Sequence, residues 1–414
     1  MFRKKPTPPK RIPRHPPQKI MDVQGPTNFP AIGSTMSPHA DAYLEARGIT
    51  PTLAKPRPSW RHRVKWRKVI KRTLLILVIL AVLIGGWLGY KFAYNFSKVF
   101  GGNIFGIFHS TKLKGEDVGR VNILLAGDSA DDPGHSGANL TDSIMLISVD
   151  TQNNTAFMMS IPRDLWVNIP GYRYQKINAA YEDGQAENFS QAGYPNGGMG
   201  LLEEVVSQKF NIPINYYALV NYSAFRDSVN AVGGITVNIQ SPDGRLYDPD
   251  TDYATGGRLV KLSNGENTLN GEQALDLARA RGDAYGSIGF EQSDFTRTAN
   301  QRLMLVALKN KTLSAGVLSN PIKLGNLFDS LGKNVKTDFT VSDARRLYGL
   351  SKKINSSNIK SLGLNNVNGK DLLRSYTAYD GESALIPAAG LNDYSAIQAY
   401  VQQITAVSNS SSHQ

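Results

Sequence analysis

The chain has 414 residues, 41% of them hydrophobic and 19% charged, with a formal net charge of +12 and no cysteine. This apolar content excludes wholesale disorder, which requires too little apolar surface to build a core. The missing thiols exclude disulfides, thiolate nucleophiles and zinc–thiolate sites. The charge is unevenly spread: residues 1–72 hold 17 Lys and Arg against Asp22, Asp41 and Glu45, a local net of +14 that leaves −2 for everything after them. The attraction for polyanions therefore belongs to a tail and not to the main domain, and no nucleic acid is expected as a partner.

In chain order, residues 1–72 are rich in Pro, Lys and Arg, as in Lys5-Pro6-Thr7-Pro8-Pro9-Lys10. They read as a disordered basic tail lying beside anionic lipid headgroups. Thr73 to Tyr90 is an uncharged run of 18 residues dominated by Leu, Ile and Val. Its helical length of about 27 Å is close to the thickness of a bilayer's hydrocarbon layer. With Trp87, Tyr90 and Tyr94 as an aromatic belt, residues 73–94 are expected to form one transmembrane helix. Arg61, Arg63, Lys65, Arg67, Lys68, Lys71 and Arg72 precede the run, and only Lys91 and Lys98 follow closely. The positive-inside rule then places the N-terminus in the cytoplasm and the C-terminal domain outside. A cleaved signal peptide fits poorly, since the basic region before the run is too long and no small-residue cleavage site follows Gly89.

Residues 95–117 read as a juxtamembrane connector, 118–405 as one extracytoplasmic domain and 406–414 as a frayed end. Within the domain, Val121–Ala126, Ser143–Val149 and Thr155–Ser160 read as buried strands. Gly200–Phe210 and Ser223–Val232 have helical spacing, the second stopped by Gly233-Gly234, and Ile235–Ile239 returns as a strand. Gly271–Arg281 and Asp294–Leu313 are predicted helices, followed by a helix over Ser342–Ile354, a short strand over Ser361–Asn365 and a closing helix over Tyr394–Thr405. Such alternation predicts an α/β fold, a central mixed β-sheet flanked by helices.

The polar residues at the strand ends are the candidates for chemistry. Asp128 follows the first strand directly and Asp142 precedes the second. Carboxylates at the C-terminal ends of strands face the crevice where α/β sheets take ligands. Two such carboxylates can share one hard cation, Mg²⁺ or Mn²⁺ in preference to zinc, although capping and turn formation alone also account for Asp at such places. Arg163-Asp164 closes the segment after the third strand, and Lys176 and Asn178 follow. Arg279 and Arg281, two apart, cannot share a helix face and suit a helix that ends there before Gly282. Arg297 and Gln301, four apart, do share one. Converging guanidinium groups beside a metal would form a polyanion clamp of the kind that stabilises a transferring phosphoryl group. His135 lies in the loop between the two aspartates and reads as a surface residue.

The segments ILLAGD (123–128), TDSIML (141–146), SIPRDLWVNIPG (160–171), KINAAYEDG (176–184), VGGITVNI (232–239), LNGEQALDLARAR (269–281) and RTANQ (297–301) together resemble the LytR-CpsA-Psr family of cell-wall glycopolymer phosphotransferases. The resemblance implies a polyprenyl-pyrophosphate-linked glycan as donor, held in an apolar tunnel beside the sheet, and a hydroxyl of peptidoglycan as acceptor. It further implies that Asp128 and Asp142 hold Mg²⁺ or Mn²⁺. Arg163, Lys176, Arg279, Arg281 and Arg297 would then grip the phosphates, with Asp164, Asn178 and Gln301 beside the same headgroup. Leu140 and Asn300 stand where the family often has arginine. Inward-facing hydrophobes would be needed for a tunnel, with Leu124, Ile144, Leu146, Phe157, Leu202 and Val205 as candidates, although each also suits an ordinary core. The competing readings are a pyrophosphatase acting on the same lipid, and a non-catalytic envelope regulator reporting occupancy through the basic tail.

Overall fold

The structure, a computed structural model, describes residues 46, 48, 111–131, 139–240, 245–251, 258–282, 289–290, 293–314 and 334–410. The predicted tail apart from residues 46 and 48, the predicted membrane-spanning run and His135 lie outside the described residues. Among those described, no helix is long and apolar enough to cross a membrane. The architecture that follows belongs to the unit Leu74–Gln414.

In chain order the elements are β1 (Arg120–Asp128), β2 (Thr141–Asp150), β3 (Thr155–Ile161), β4 (Trp166–Asn168), β5 (Tyr174–Lys176), α1 (Ala179–Ala186), α2 (Gly198–Phe210) and β6 (Tyr216–Val220). They continue with α3 (Tyr222–Ala231), β7 (Ile235–Ile239), β8 (Arg245–Thr251), β9 (Arg258–Ser263), β10 (Gly265–Leu269), α4 (Gly271–Arg279) and α5 (Asp294–Ser314). Last come β11 (Val335–Thr337), α6 (Val341–Ser351), β12 (Ile359–Leu362), β13 (Leu373–Thr377), β14 (Ser383–Pro387) and α7 (Ser395–Ser410). Six strands form the central sheet in the order β11-β6-β1-β2-β3-β12. β2 runs antiparallel to both β1 and β3, while β6 is parallel to β1 and β12 to β3, so the sheet is mixed.

Side chains on a strand alternate between faces, and here the two faces have different tasks. On one, Leu124, Ala126, Ile144, Leu146, Phe157, Met159 and Ile161 pack with Leu202, Val205, Val206 and Phe210 of α2 and with Ile397 and Val401 of α7 in the main core. On the other, Val121, Ile123 and Val149 pack with Phe339, Leu350 and Ile354 in a smaller core. Further along that same face Leu125, Gly127, Ser143 and Met145 are left for a cavity. The six hydrophobes considered for a tunnel therefore all lie in the main core, on the sheet face that the cavity does not use. A one-residue offset reverses the face, so Leu125 and Met145 line the cavity where Leu124, Ile144 and Leu146 do not.

A second body of packing sits over the cavity. β7 pairs with β10, and Val237 and Ile239 join Val229, Leu269, Leu277 and Met304 of the neighbouring elements. α4 starts with a capping box in which the Asn270 side chain accepts from the Gln273 N–H and the Gln273 side chain accepts from the Asn270 N–H. Gly271 is required just there, because a Cβ would meet the Arg226 carbonyl oxygen at 2.2 Å.

Most predicted elements are present with ends shifted by one to three residues. α4 stops at Arg279 and not at Arg281, and the short strand expected over Ser361–Asn365 forms earlier, over Ile359–Leu362. β6 and the β4–β5 and β13–β14 hairpins were not among the expected elements. They are short, and ladder pairing, of β6 with the distant β1 and of each hairpin strand with its own partner, stabilises them more than local propensity does.

Candidate functional site

The cavity has a volume of about 440 Å³ and opens between the sheet and the helices α3, α4 and α5. Its polar lining includes Asp128, Asp142, Ser143, Arg163, Arg279, Arg281, Arg297 and Gln301, and its apolar lining includes Leu125, Met145, Phe225, Leu275, Met304 and Leu305. Of the ten predicted site residues, seven line this cavity: both aspartates, four arginines and Gln301. Asp164, Lys176 and Asn178 are not part of its lining.

The aspartates are brought together by a bulge. Gly127 pairs with Ser143 but Asp128 pairs with Thr141, so Asp142 is an extra residue on β2 with no partner across the ladder. It belongs to the strand rather than preceding it. A bulge re-aims side chains locally, which is how carboxylates on adjacent strands reach one cavity. Burial raises the proton affinity of Asp128, opposed by its Ala130 N–H contact at 3.4 Å and by Lys336, and reinforced by Asp131 and Asp142.

The arginines are held in a relay of ion pairs. Arg163 donates to the carboxylate of Asp142, and its Nε lies 3.9 Å from Asp164. Burial opposes its charge, but Asp142, Asp164 and Asp294 outweigh that and raise its proton affinity. Arg297, only 6% exposed, pairs with Asp294 and donates from Nη2 to the Asp142 carbonyl at 3.1 Å. Its proton affinity is lowered, first by burial and then by the nearby charges of Arg163 and Arg281, with Asp294 and Asp142 opposing. Arg297 thus feels the charges of both Arg163 and Arg281 in a partly dry cavity, an arrangement that an anion would relieve.

Arg279 lies with its guanidinium carbon 4.8 Å from the centre of the Tyr222 ring, at the start of α3. Beyond it Ala280 is extended, and Gly282 has φ +72° with Phe290 so near that a Cβ would meet it at 2.1 Å. The chain therefore leaves the helix between the two arginines, two residues before the end expected at Arg281. Gln301 spans the cavity edge: its Oε1 accepts from the Ser143 hydroxyl at 2.8 Å and its Nε2 donates to the Ala278 carbonyl at 2.9 Å.

The three residues outside the lining have recognisable positions. Lys176 pairs with Asp164 at 3.3 Å and with Glu382 at 3.2 Å. Asn178 is buried and works through its main chain: its N–H donates to the Arg163 carbonyl at 3.4 Å, and its carbonyl accepts from the Thr141 N–H at 3.3 Å. It thereby ties the loop carrying Arg163 to the start of β2. Asp294, holding Arg297, was missed by sequence reasoning; its only signal was its place three residues ahead of Arg297 on a helix. Leu140 and Asn300 are both half-buried and neither lines the cavity. Arg302, next to Gln301, does not replace a missing arginine: it points to Ser160 and to Ser361, the latter at 2.6 Å, and burial lowers its pKa to about 10.

For a divalent cation, the described residues contain no group of three or more His, Cys, Asp or Glu placed to hold one. The cavity does offer two oxygen-only donors, Asp128 and Asp142, in mutual electrostatic contact. That donor set fits Mg²⁺ or Mn²⁺ with remaining positions filled by water or phosphate oxygens, which is how Mg²⁺ is usually held.

A mixed sheet bearing a half-apolar cavity with paired aspartates and clustered arginines defines an α/β protein built to take an anionic head attached to a greasy group. The chain belongs to the LytR_cpsA_psr family, whose model matches residues 104–388. It is 33% identical over 286 residues to the polyisoprenyl-teichoic acid–peptidoglycan teichoic acid transferase TagU of Oceanobacillus iheyensis, covering 66% of this chain and 78% of that one. It is 30% identical over 301 residues to the corresponding transferase TagT of Bacillus subtilis, covering 70% and 82%. Among solved structures, TagT bound to LIIa-WTA aligns with a TM-score of 0.51 at 25% identity over 69% of this chain and 90% of that one.

Proposed function

We propose that this chain is a membrane-anchored phosphotransferase. It moves a glycopolymer from a polyprenyl-pyrophosphate carrier onto a hydroxyl of peptidoglycan, with its catalytic domain outside the cytoplasm. The observation carrying this reading is the meeting of Arg163, Arg279, Arg281 and Arg297 with Asp128 and Asp142 in one cavity whose remaining wall is apolar. The transferases TagU and TagT support the same substrate class.

A pyrophosphate donor is already activated, so the protein's work is positioning and charge neutralisation. The guanidinium groups bind the phosphate oxygens, and the repulsion of Arg297 by Arg163 and Arg281 falls as the anion enters. Leu125, Met145, Phe225, Leu275, Met304 and Leu305 take the first carbons of the lipid. The acceptor oxygen attacks the glycan-bearing phosphorus. A new P–O bond forms, the P–O bond to the lipid phosphate breaks, and the lipid leaves as its monophosphate. The hydroxyl proton passes to a carboxylate oxygen of the Asp128–Asp142 pair. A divalent cation on these two residues would supply further neutralisation of the pyrophosphate. Asp164, Lys176 and Asn178 brace the Arg163 loop from outside the cavity.

The test is purified full-length chain with Mg²⁺, a polyprenyl-pyrophosphate glycan and peptidoglycan. Appearance of polymer-bearing peptidoglycan together with lipid monophosphate is expected. Lipid monophosphate formed at the same rate with and without acceptor, and no labelled wall, would convert the reading to a pyrophosphatase.

A further inference from the structure

The β13–β14 hairpin is attached directly to the loop that carries Arg163. Leu385 forms a parallel bridge with Leu165 and donates its N–H to the Asp164 carbonyl at 2.9 Å. Glu382, beside the hairpin turn, pairs with Lys176, which in turn pairs with Asp164. At this turn Tyr379 is 71% exposed, so its ring is open to a partner. It stands edge-on to the buried Trp166, centroids 6.0 Å apart, and Tyr376 packs on the same Trp166 at 6.5 Å. Nearby, Asn392 donates from Nδ2 to the Tyr174 hydroxyl.

The charges around this aromatic patch select its partner. Residues 376–393 contain Asp380, Glu382 and Asp393 but no Lys or Arg. Glu382 is already paired with Lys176 and exposed Arg374 stands two residues before Tyr376, so the patch carries charges of both signs and favours no strongly charged partner. An uncharged, polyhydroxylated chain fits: ring faces take the apolar C–H faces of sugars, and carboxylates and amides take their hydroxyls. We propose that Tyr379, supported by Trp166 and Tyr376, forms a binding platform for the glycan strand of the acceptor. The platform delivers an acceptor hydroxyl toward the cavity past the Lys176–Asp164 pair. This rests on the transferase reading above and adds to it the place where the second substrate docks.

The experiment uses the full-length chain with Tyr379→Ala and Tyr379→Trp. Tyr379 is exposed, so neither change threatens folding. Tyr379→Ala should raise the KM for peptidoglycan fragments about tenfold with kcat and donor KM unchanged, while Tyr379→Trp should stay near the parent. Tyr379→Ala should also lose co-sedimentation with purified, polymer-free peptidoglycan. An unchanged acceptor KM with unchanged co-sedimentation overturns the platform. So does an effect confined to donor KM, or loss of binding to phosphatidylglycerol vesicles in place of peptidoglycan. If the parent chain transfers nothing, the proposed reaction is what has failed, and co-sedimentation still decides the platform.

Discussion

Glu203 on α2 is 4% exposed, and its Oε1 has no hydrogen-bond partner in the structure. Burial pushes its pKa up from 4.5 to about 8, with Asp338 adding to the rise and Lys114 opposing it. The folded protein therefore holds this proton at pH values where the unfolded chain has released it. A carboxyl raised in this way stabilises the fold below its unfolded pKa and loses that contribution as pH climbs toward the folded value. At 1.36 kcal/mol per pKa unit, stability should fall by about 4 kcal/mol between about pH 5 and pH 9 on account of this one group. For a domain of this size that corresponds to about 10 °C in Tm. Glu203→Gln keeps the shape and removes the titration. Thermal melts of parent and variant, run across that range in one buffer system, should converge or cross near pH 5 and separate by pH 9, the variant being the more stable there. Parallel curves would refute the reasoning, because other titrating groups affect both proteins alike.

Further outcomes follow from the cavity. Arg163→Ala should lower transfer by about two to three orders of magnitude, the usual cost of losing a charge-stabilising donor, and Arg163→Lys should restore little because an ammonium lacks the planar fork. Single-turnover rates with labelled donor measure both. Asp294→Asn leaves Arg297 buried without its carboxylate; it should cost about 3 kcal/mol in a denaturant titration, comparable with breaking a buried pair, and weaken donor binding. Gly282→Ala forces a side chain into a left-handed backbone against Phe290; it should cost more than about 1 kcal/mol and raise donor KM by displacing Arg281. Chelation should stop transfer and Mg²⁺ restore it, with Asp142→Asn needing more cation than the parent; activity that survives chelation would remove the cation from the proposed reaction.

The amino-acid order alone determined a good deal. The apolar runs in ILLAGD and TDSIML sufficed for β1 and β2, because such runs depend on neighbours only a few residues away. The spacing of Arg279 and Arg281 before Gly282 likewise announced that a helix ends in this segment, although the end falls at Arg279 and not at the expected Arg281. The tertiary structure decided which side of the sheet would be core and which would be cavity, placing Leu124 and Ile144 in one and Leu125 and Met145 in the other. Period-2 alternation states that two faces exist but not what covers each. It also decided that Asp142 would stand out at a bulge, that Asp294 would hold Arg297, and that Lys176 would turn to Glu382, more than 200 residues away. The bulge and the Lys176–Glu382 pair are set by the packing of separate segments rather than by any local pattern, while the local i,i+3 pairing of Asp294 with Arg297 gains its weight from the burial of Arg297.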